Sequence, residues 1–196
     1  MLPHQRIVAP AVIVLWLFVL ANWSSHVSAE ERLVILHSSE HHGALLPFKS
    51  DKQTLVGGVI GRASIINRTR KASPSTLVVD SGDVLIGTTM SSVFRGEADI
   101  QAMNLMYQAI AVGNHDLDYG IEHLSRLQAW ARFPILCSNR KGREQALPCA
   151  PSTFVRLGKL TVGLMGLLGR STFPGYLNPK VVPDLHFQDP IEAARA

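Results

Sequence analysis

Short runs of β-branched and other apolar residues alternate along this chain with segments whose apolar residues recur at helical spacing. "RLVILH" (32–37) and "STLVVD" (75–80) have the length and composition of strands. Between them, "GGVIGRASIINRTRKA" (57–72) sets Val59, Ala63 and Ile66 near helical spacing and gathers its basic residues toward the end, where they suit the helix dipole. The Gly-broken stretch "SGDVLIGTTMSSVFRGE" (81–97) reads as a loop, "ADIQAMNLMYQ" (98–108) as a helix and "AIAV" (109–112) as a short buried strand. "GNHDLDYG" (113–120) is a turn, "IEHLSRLQAWA" (121–131) a helix and "FPILC" (133–137) another strand. "STFVRLG" and "LTVGLMGLL" flank Gly158-Lys159 as a hairpin, the Pro-rich "FPGYLNPKVVPD" (173–184) is irregular, and "DPIEAARA" (189–196) begins a helix.

Strand–helix–strand alternation predicts an α/β fold, a layered sandwich of mixed β-sheet with substantial parallel content, flanked by helices. In such sheets functional groups gather in the loops beyond the carboxyl ends of the strands. This sequence places its ionisable and amide side chains there. "LVILH" runs into "SSEHHG", "LVVD" into "SGD", "IAV" into "GNHD", and "ILC" into "SNR".

The N-terminal segment changes the picture of where the protein works. "MLPHQR" is short and basic, "IVAPAVIVLWLFVLANW" is apolar, and "SSHVSA" ends in the small residues Val27-Ser28-Ala29. That is the build of a signal peptide over residues 1–29. An uncleaved anchor is the alternative, and both send residues 30–196 out of the cytoplasm, to a periplasmic or extracellular site. With the signal cleaved, no stable membrane span is expected. The net charge of +4 is a mild excess without a dense basic block beyond "RTRK", which argues against a nucleic-acid partner. The two cysteines, Cys137 and Cys149, can pair in an exported protein. Equally, Cys137 at the end of an apolar run fits a simply buried thiol. Neither lies in a CxxC pattern, so thiolate zinc sites are excluded.

Each polar cluster alone is weak. Glu40, His41 and His42 in one turn usually form a solvated surface, "DSGD" can cap a helix, and "GNHD" is ordinary turn chemistry. Their joint occurrence after apolar strands is another matter, because it converges carboxylate, imidazole and amide groups on one region. Those donors suit borderline and hard divalent ions, and a shared carboxylate can hold two of them close together.

The ordered set resembles the calcineurin-like metallophosphoesterases, and within them the exported 5′-nucleotidase / UDP-sugar hydrolase branch. "LHSSEHHG" is similar to that branch's L-H-T-N-D-x-H-G, "GGVIGRASII" to G-G-x-A-R-x-A-x-x-I and "VVDSGDVLIGT" to its strand-ending G-D segment. "AVGNHDLDYG" is similar to G-N-H-E-F-D-x-G and "ILCSNR" to its A-N segment. The likeness runs from about Leu33 onward. It implies a metal-dependent phosphoester hydrolase acting on nucleotides or related small-molecule phosphoesters, with two divalent metal ions (Zn, Mn or similar) as cofactors. It also implies roles: Glu40 and His42 on the first metal, Asp83 bridging, Asn114 on the second. His115 would face the phosphate, oriented by Asp118. His41 would point away, and Asn139 would stand no nearer than behind the ligands.

Two departures qualify the resemblance. The family's aspartate is Glu40 here, one methylene longer. The family's remaining ligands are histidines on later loops, including a G-H-x-H turn, whereas the only histidine after His123 is His186, in no ligand motif. The expectation is therefore residues 30–196 as the incomplete, truncated N-terminal part of a metallophosphoesterase domain. Such a piece would be a poor enzyme or inactive. The alternative is a non-catalytic exported remnant or binding module of the same fold.

Overall fold

The computed structural model describes residues 31–141, 147–169 and 185–196. The predicted signal segment and the Pro-rich stretch 173–184 lie outside the described residues. The chain divides into two units, Met1–Glu31 and Arg32–Ala196, and the second carries every element below. Its order is β1 (Val34–Ser38), β2 (Phe48–Lys49), β3 (Leu55–Val56), α1 (Gly58–Ala72), β4 (Thr76–Asp80), α2 (Thr89–Phe94), α3 (Glu97–Met103) and β5 (Ala109–Ala111). A 3₁₀ turn (His115–Leu117) follows, then α4 (Ile121–Trp130), β6 (Ile135–Leu136), β7 (Arg140–Lys141), β8 (Ser152–Leu157), β9 (Leu160–Met165), β10 (His186–Phe187) and α5 (Pro190–Arg195).

Four strands form a wholly parallel sheet in the order β1-β4-β5-β6. Register is set by pairs such as Ile35 with Leu77, His37 with Val79, Val79 with Ala109 and Ile110 with Ile135. β4 is buried along nearly its whole length, as its unbroken "TLVV" run requires of a central strand. β1 alternates half-buried and exposed positions, the pattern of an edge strand, with Ile35 outward. The mixed character of the fold comes from separate antiparallel pairs: β2 with β3, β7 with β10, and the β8–β9 hairpin turning at Gly158-Lys159.

The core gathers Val78, Ile110 and Ile135 from the sheet, Ile66 from α1, Ile100 and Met103 from α3, and Leu124 and Leu127 from α4. Cys137 and Cys149 are joined by a disulfide, Cα atoms 5.8 Å apart. It fastens β6 to the segment beside it, where Cys137 N–H also donates to Ala150 O at 2.9 Å.

Two elements differ from the sequence reading. The loop 81–97 contains α2, because Thr88 caps it: the Thr88 hydroxyl oxygen accepts from Ser91 N–H at 3.2 Å. The helix expected over 98–108 starts one residue earlier and stops at Met103. Its end is pulled off course by Asn104, whose amide donates to Trp130 O at 2.9 Å and whose oxygen accepts from Arg132 N–H at 2.6 Å. The chain then turns through buried Met106 and Tyr107 into β5. Because all four central strands are parallel, the loops after β1, β4, β5 and β6 leave from one edge of the sheet.

Candidate metal centre

Beyond the strand ends, the first two loops stay side by side. Ser81 N–H donates to Ser38 O at 2.9 Å, Glu40 N–H to Gly82 O at 3.1 Å, His42 N–H to Asp83 O at 3.1 Å and Gly43 N–H to Val84 O at 3.0 Å. These bonds extend the β1–β4 ladder and lay Glu40 and His42 against Asp83. They do so on strained backbone: Glu40, His42 and Asp83 have φ of 55°, 42° and 57°. Left-handed conformations in non-glycine residues cost about 1–2 kcal/mol each and concentrate at functional sites.

The β4 and β5 loops touch where neither carries a side chain. A Cβ on Gly82 would stand 2.2 Å from Gly113 N, and one on Gly113 would stand 2.2 Å from Asp83 Oδ1. Glycine at both positions is what lets "SGD" meet "GNHD". There, Asp83 Oδ1 accepts from His115 N–H at 2.8 Å.

The side chains that converge are His42, Asp83 and His115, whose potential donor atoms all lie within 4.8 Å of one another. The His42 and His115 rings meet edge to face, centroids 5.1 Å apart. Glu40 Oε2 reaches His42 Nε2 at 3.2 Å, and His42 Nδ1 lies 3.1 Å from Leu85 O. His115 Nδ1 sits 2.7 Å from Asp118 Oδ2, which leaves its Nε2 for the shared space. Asn114 directly precedes His115, its carbonyl accepting from Leu117 N–H at 3.1 Å. His42 and Asp83, with Glu40 alongside, are donors of the kind that suit a divalent ion, and the His115 ring opens on the same space.

Electrostatics follow the crowding. Burial pushes the Asp83 carboxyl above its ordinary pKa; the His115 N–H opposes this and neighbouring Glu40 adds to it. At His115, burial works against the charged ring, but the Asp118 bond and charge, with Asp83 and Glu40, carry its pKa above the usual histidine value. His41 faces elsewhere: both ring nitrogens are buried, and burial, with Arg62 and His42 nearby, lowers its pKa to about 3.

Asn139 is wholly occupied with backbone. Its amide donates to Leu168 O and Gln188 O, and its oxygen accepts from Leu168 N–H. His186 lies in β10, paired with Lys141 of β7. Asp116 is a residue the sequence reading passed over. Its buried carboxylate accepts from Asp83, Val84, Leu85 and Gly113 N–H groups, at 3.0, 2.9, 3.3 and 2.9 Å. A carboxylate inside a polar turn carries no periodic signal, and three of its partners are backbone groups 31–33 residues back in the chain.

No protein-family model matches the chain. The chain is 32% identical over 174 residues to the 5′-nucleotidase of Rattus norvegicus, covering 82% of itself and 30% of that protein. The crystal structure of a 5′-nucleotidase precursor from Thermus thermophilus superposes with a TM-score of 0.72 at 34% identity, over 83% of this chain and 33% of that one. The calcineurin-like phosphoesterase YfkN from Bacillus subtilis shares the fold, with a TM-score of 0.66 at 24% identity over 83% and 55% of the two chains. This chain thus spans about 30% of the length of the curated relatives it matches. On the sequence identity to the nucleotidases and the fold shared with them, the chain belongs to the 5′-nucleotidase family, and its fold is the one seen in a calcineurin-like phosphoesterase.

Proposed function

We propose that the chain is a metal-dependent phosphoester hydrolase of the 5′-nucleotidase type, acting on nucleotides or related small phosphoesters. The observation that carries this is the meeting of His42, Asp83 and His115 donor atoms within 4.8 Å at the loop edge of a parallel sheet. In this reading Glu40, His42, Asp83 and Asn114 would hold divalent metal. A bound metal pair would supply Lewis-acid polarisation of the phosphoryl group and a water of lowered pKa. The rest falls to the chain's own side chains. Asp118 orients His115 by accepting from Nδ1–H and favours the charged ring, and in that doubly protonated form Nε2–H donates to the phosphoryl oxygens as charge develops on them. The backbone ladder between residues 38–43 and 81–84 keeps these groups from drifting apart.

Export rests on the N-terminal segment, residues 1–29, read as a signal peptide. Among the described residues, no helix is long and apolar enough to cross a membrane.

Among the described residues the four candidate donors, with Asp83 shared, would hold two ions loosely, and a loose pair aligns nucleophile and phosphate poorly. That arrangement also favours a second reading, a binding module that takes a metal or phosphoester without turning it over. The test is phosphate release from AMP by the purified chain in excess Mn²⁺, beside calorimetric Mn²⁺ titration. Weak metal binding and slow hydrolysis, both lost in Asp83→Ala, support the enzyme reading. Mn²⁺ binding without any release supports the binding module, and no Mn²⁺ binding overturns both.

A further inference from the structure

We propose that Asp116, which lies outside the candidate ligand set, is the positioning residue that holds the two metal-bearing loops in register; this rests on the reading of those loops as a metal site. Only 2% of Asp116 is exposed. Its Oδ2 accepts from Asp83 N–H at 3.0 Å and from Gly113 N–H at 2.9 Å. Its Oδ1 accepts from Val84 N–H at 2.9 Å and Leu85 N–H at 3.3 Å. Three of the four donors belong to the loop after β4, and the fourth to the loop after β5.

The clamp is reciprocal. Asp83 Oδ1 accepts from His115 N–H at 2.8 Å while Asp83 N–H donates to Asp116. Each loop therefore gives an N–H to the other loop's aspartate. Asp83 needs such a hold, because its φ of 57° is one that side chains other than glycine rarely adopt. Asn114 and His115 precede Asp116 on the same turn, so whatever fixes Asp116 against residues 83–85 fixes them against Asp83.

Charge type matters here as much as shape. A carboxylate presents acceptors on both oxygens to four N–H groups. An asparagine of the same outline keeps one oxygen and turns an NH₂ toward donors, which repels one edge of the β4 loop. Metal–ligand distances tolerate only about 0.2 Å, so a loosened register shows in metal affinity before it shows in the fold.

The experiment compares the full chain with Asp116→Asn, using Mn²⁺ alone as probe. The Mn²⁺ dissociation constant of the variant should rise about tenfold or more, with an unchanged circular dichroism spectrum and faster exchange of the amides of residues 83–85 and 113. Glu122→Gln, which removes an exposed helix pair with Arg126, should change neither quantity. An unchanged dissociation constant in a folded Asp116→Asn overturns the proposal. A second measurement needs no variant: through-hydrogen-bond NMR couplings from those four amide nitrogens to the Asp116 carboxyl carbon. Their absence overturns the clamp even where Asp116→Asn fails to fold. Their presence in a wild-type chain that binds no Mn²⁺ supports the clamp and refutes the metal reading instead.

Discussion

Glu40 stands where the family motif carries aspartate, and the extra methylene has a visible consequence. Its Oε2 rests 3.2 Å from His42 Nε2, the atom a metal would take, so ion binding has to displace one candidate ligand from another. The left-handed backbone at both residues keeps the two side chains crowded rather than splayed. His115 is better prepared, since its Nδ1 is already committed to Asp118 at 2.7 Å and its pKa is raised by that bond and charge against the effect of burial. Asp118→Asn should therefore lower the His115 pKa, which an NMR titration of the ring reads directly. It should also cut turnover by about tenfold or more, in a form of the protein active enough to assay, while Mn²⁺ content stays near that of wild type. Metal lost in step with activity would mean that Asp118 holds the ion or the turn, not the imidazole. An unshifted His115 would mean the pair has no electrostatic consequence.

The helix cap at Thr88 ties an element to the site. Its hydroxyl accepts from Ser91 N–H and also donates to Gly43 O at 2.9 Å, so α2 is fastened to the very turn that carries Glu40 and His42. Thr88→Ala should cost about 1 kcal/mol, as lost N-caps do, and should loosen residues 40–43 more than the distant β8–β9 hairpin. Urea unfolding with amide exchange measures both; equal protection at residues 40–43 in variant and wild type would reduce Thr88 to a helix cap alone. The same loop shows what the sequence made legible and what it did not. Strands with unbroken apolar runs, such as β4, and helices with clear spacing, such as α1 and α4, were readable because burial writes periodicity into the chain. So was the shared loop edge, because parallel strands put their ends together. α2 was not, since a six-residue helix "TMSSVF" has no apolar stripe and is started by one hydroxyl. The end of α3 was hidden for a related reason: Asn104 bonds backbone across 26 and 28 residues, a tertiary partner that local pattern cannot announce. At the candidate site, the loops holding Glu40, His42, Asp83, Asn114 and His115 were legible as polar clusters after strands, and Asp118 through the family resemblance. Asp116 did not, because its work is done on main-chain N–H groups.

At the scale of the whole molecule, four described residues turn polar side-chain atoms into the interior: His41, Arg62, Ser91 and Asp99. Asp99 lies in the first turn of α3 and is fully buried. Burial raises its pKa to about 6, with Ser91 and Arg62 pulling the other way. The folded state thus keeps the Asp99 proton through a range in which the unfolded chain has released it. The sign follows from linkage: Asp99's contribution to stability is fully present below its unfolded value and is lost as pH rises through about 6. His41, lowered to about 3, slopes the opposite way, and Asp116, raised to about 6, slopes the same way, so the wild-type profile alone does not isolate one group. Asp99→Asn isolates it, because asparagine cannot ionise and the other groups remain in both proteins. Relative to wild type, the variant should gain stability between pH 4 and pH 8, by on the order of 1–3 kcal/mol, whatever its offset at pH 4. Urea denaturation at pH 4, 6 and 8 supplies the numbers. A difference that stays constant with pH would show that Asp99 titrates alike folded and unfolded, and that burial at this position does not govern its proton. A difference that moves against the variant would reverse the sign and place Asp99's charge in a favourable pair, with Arg62 as the cation to test next.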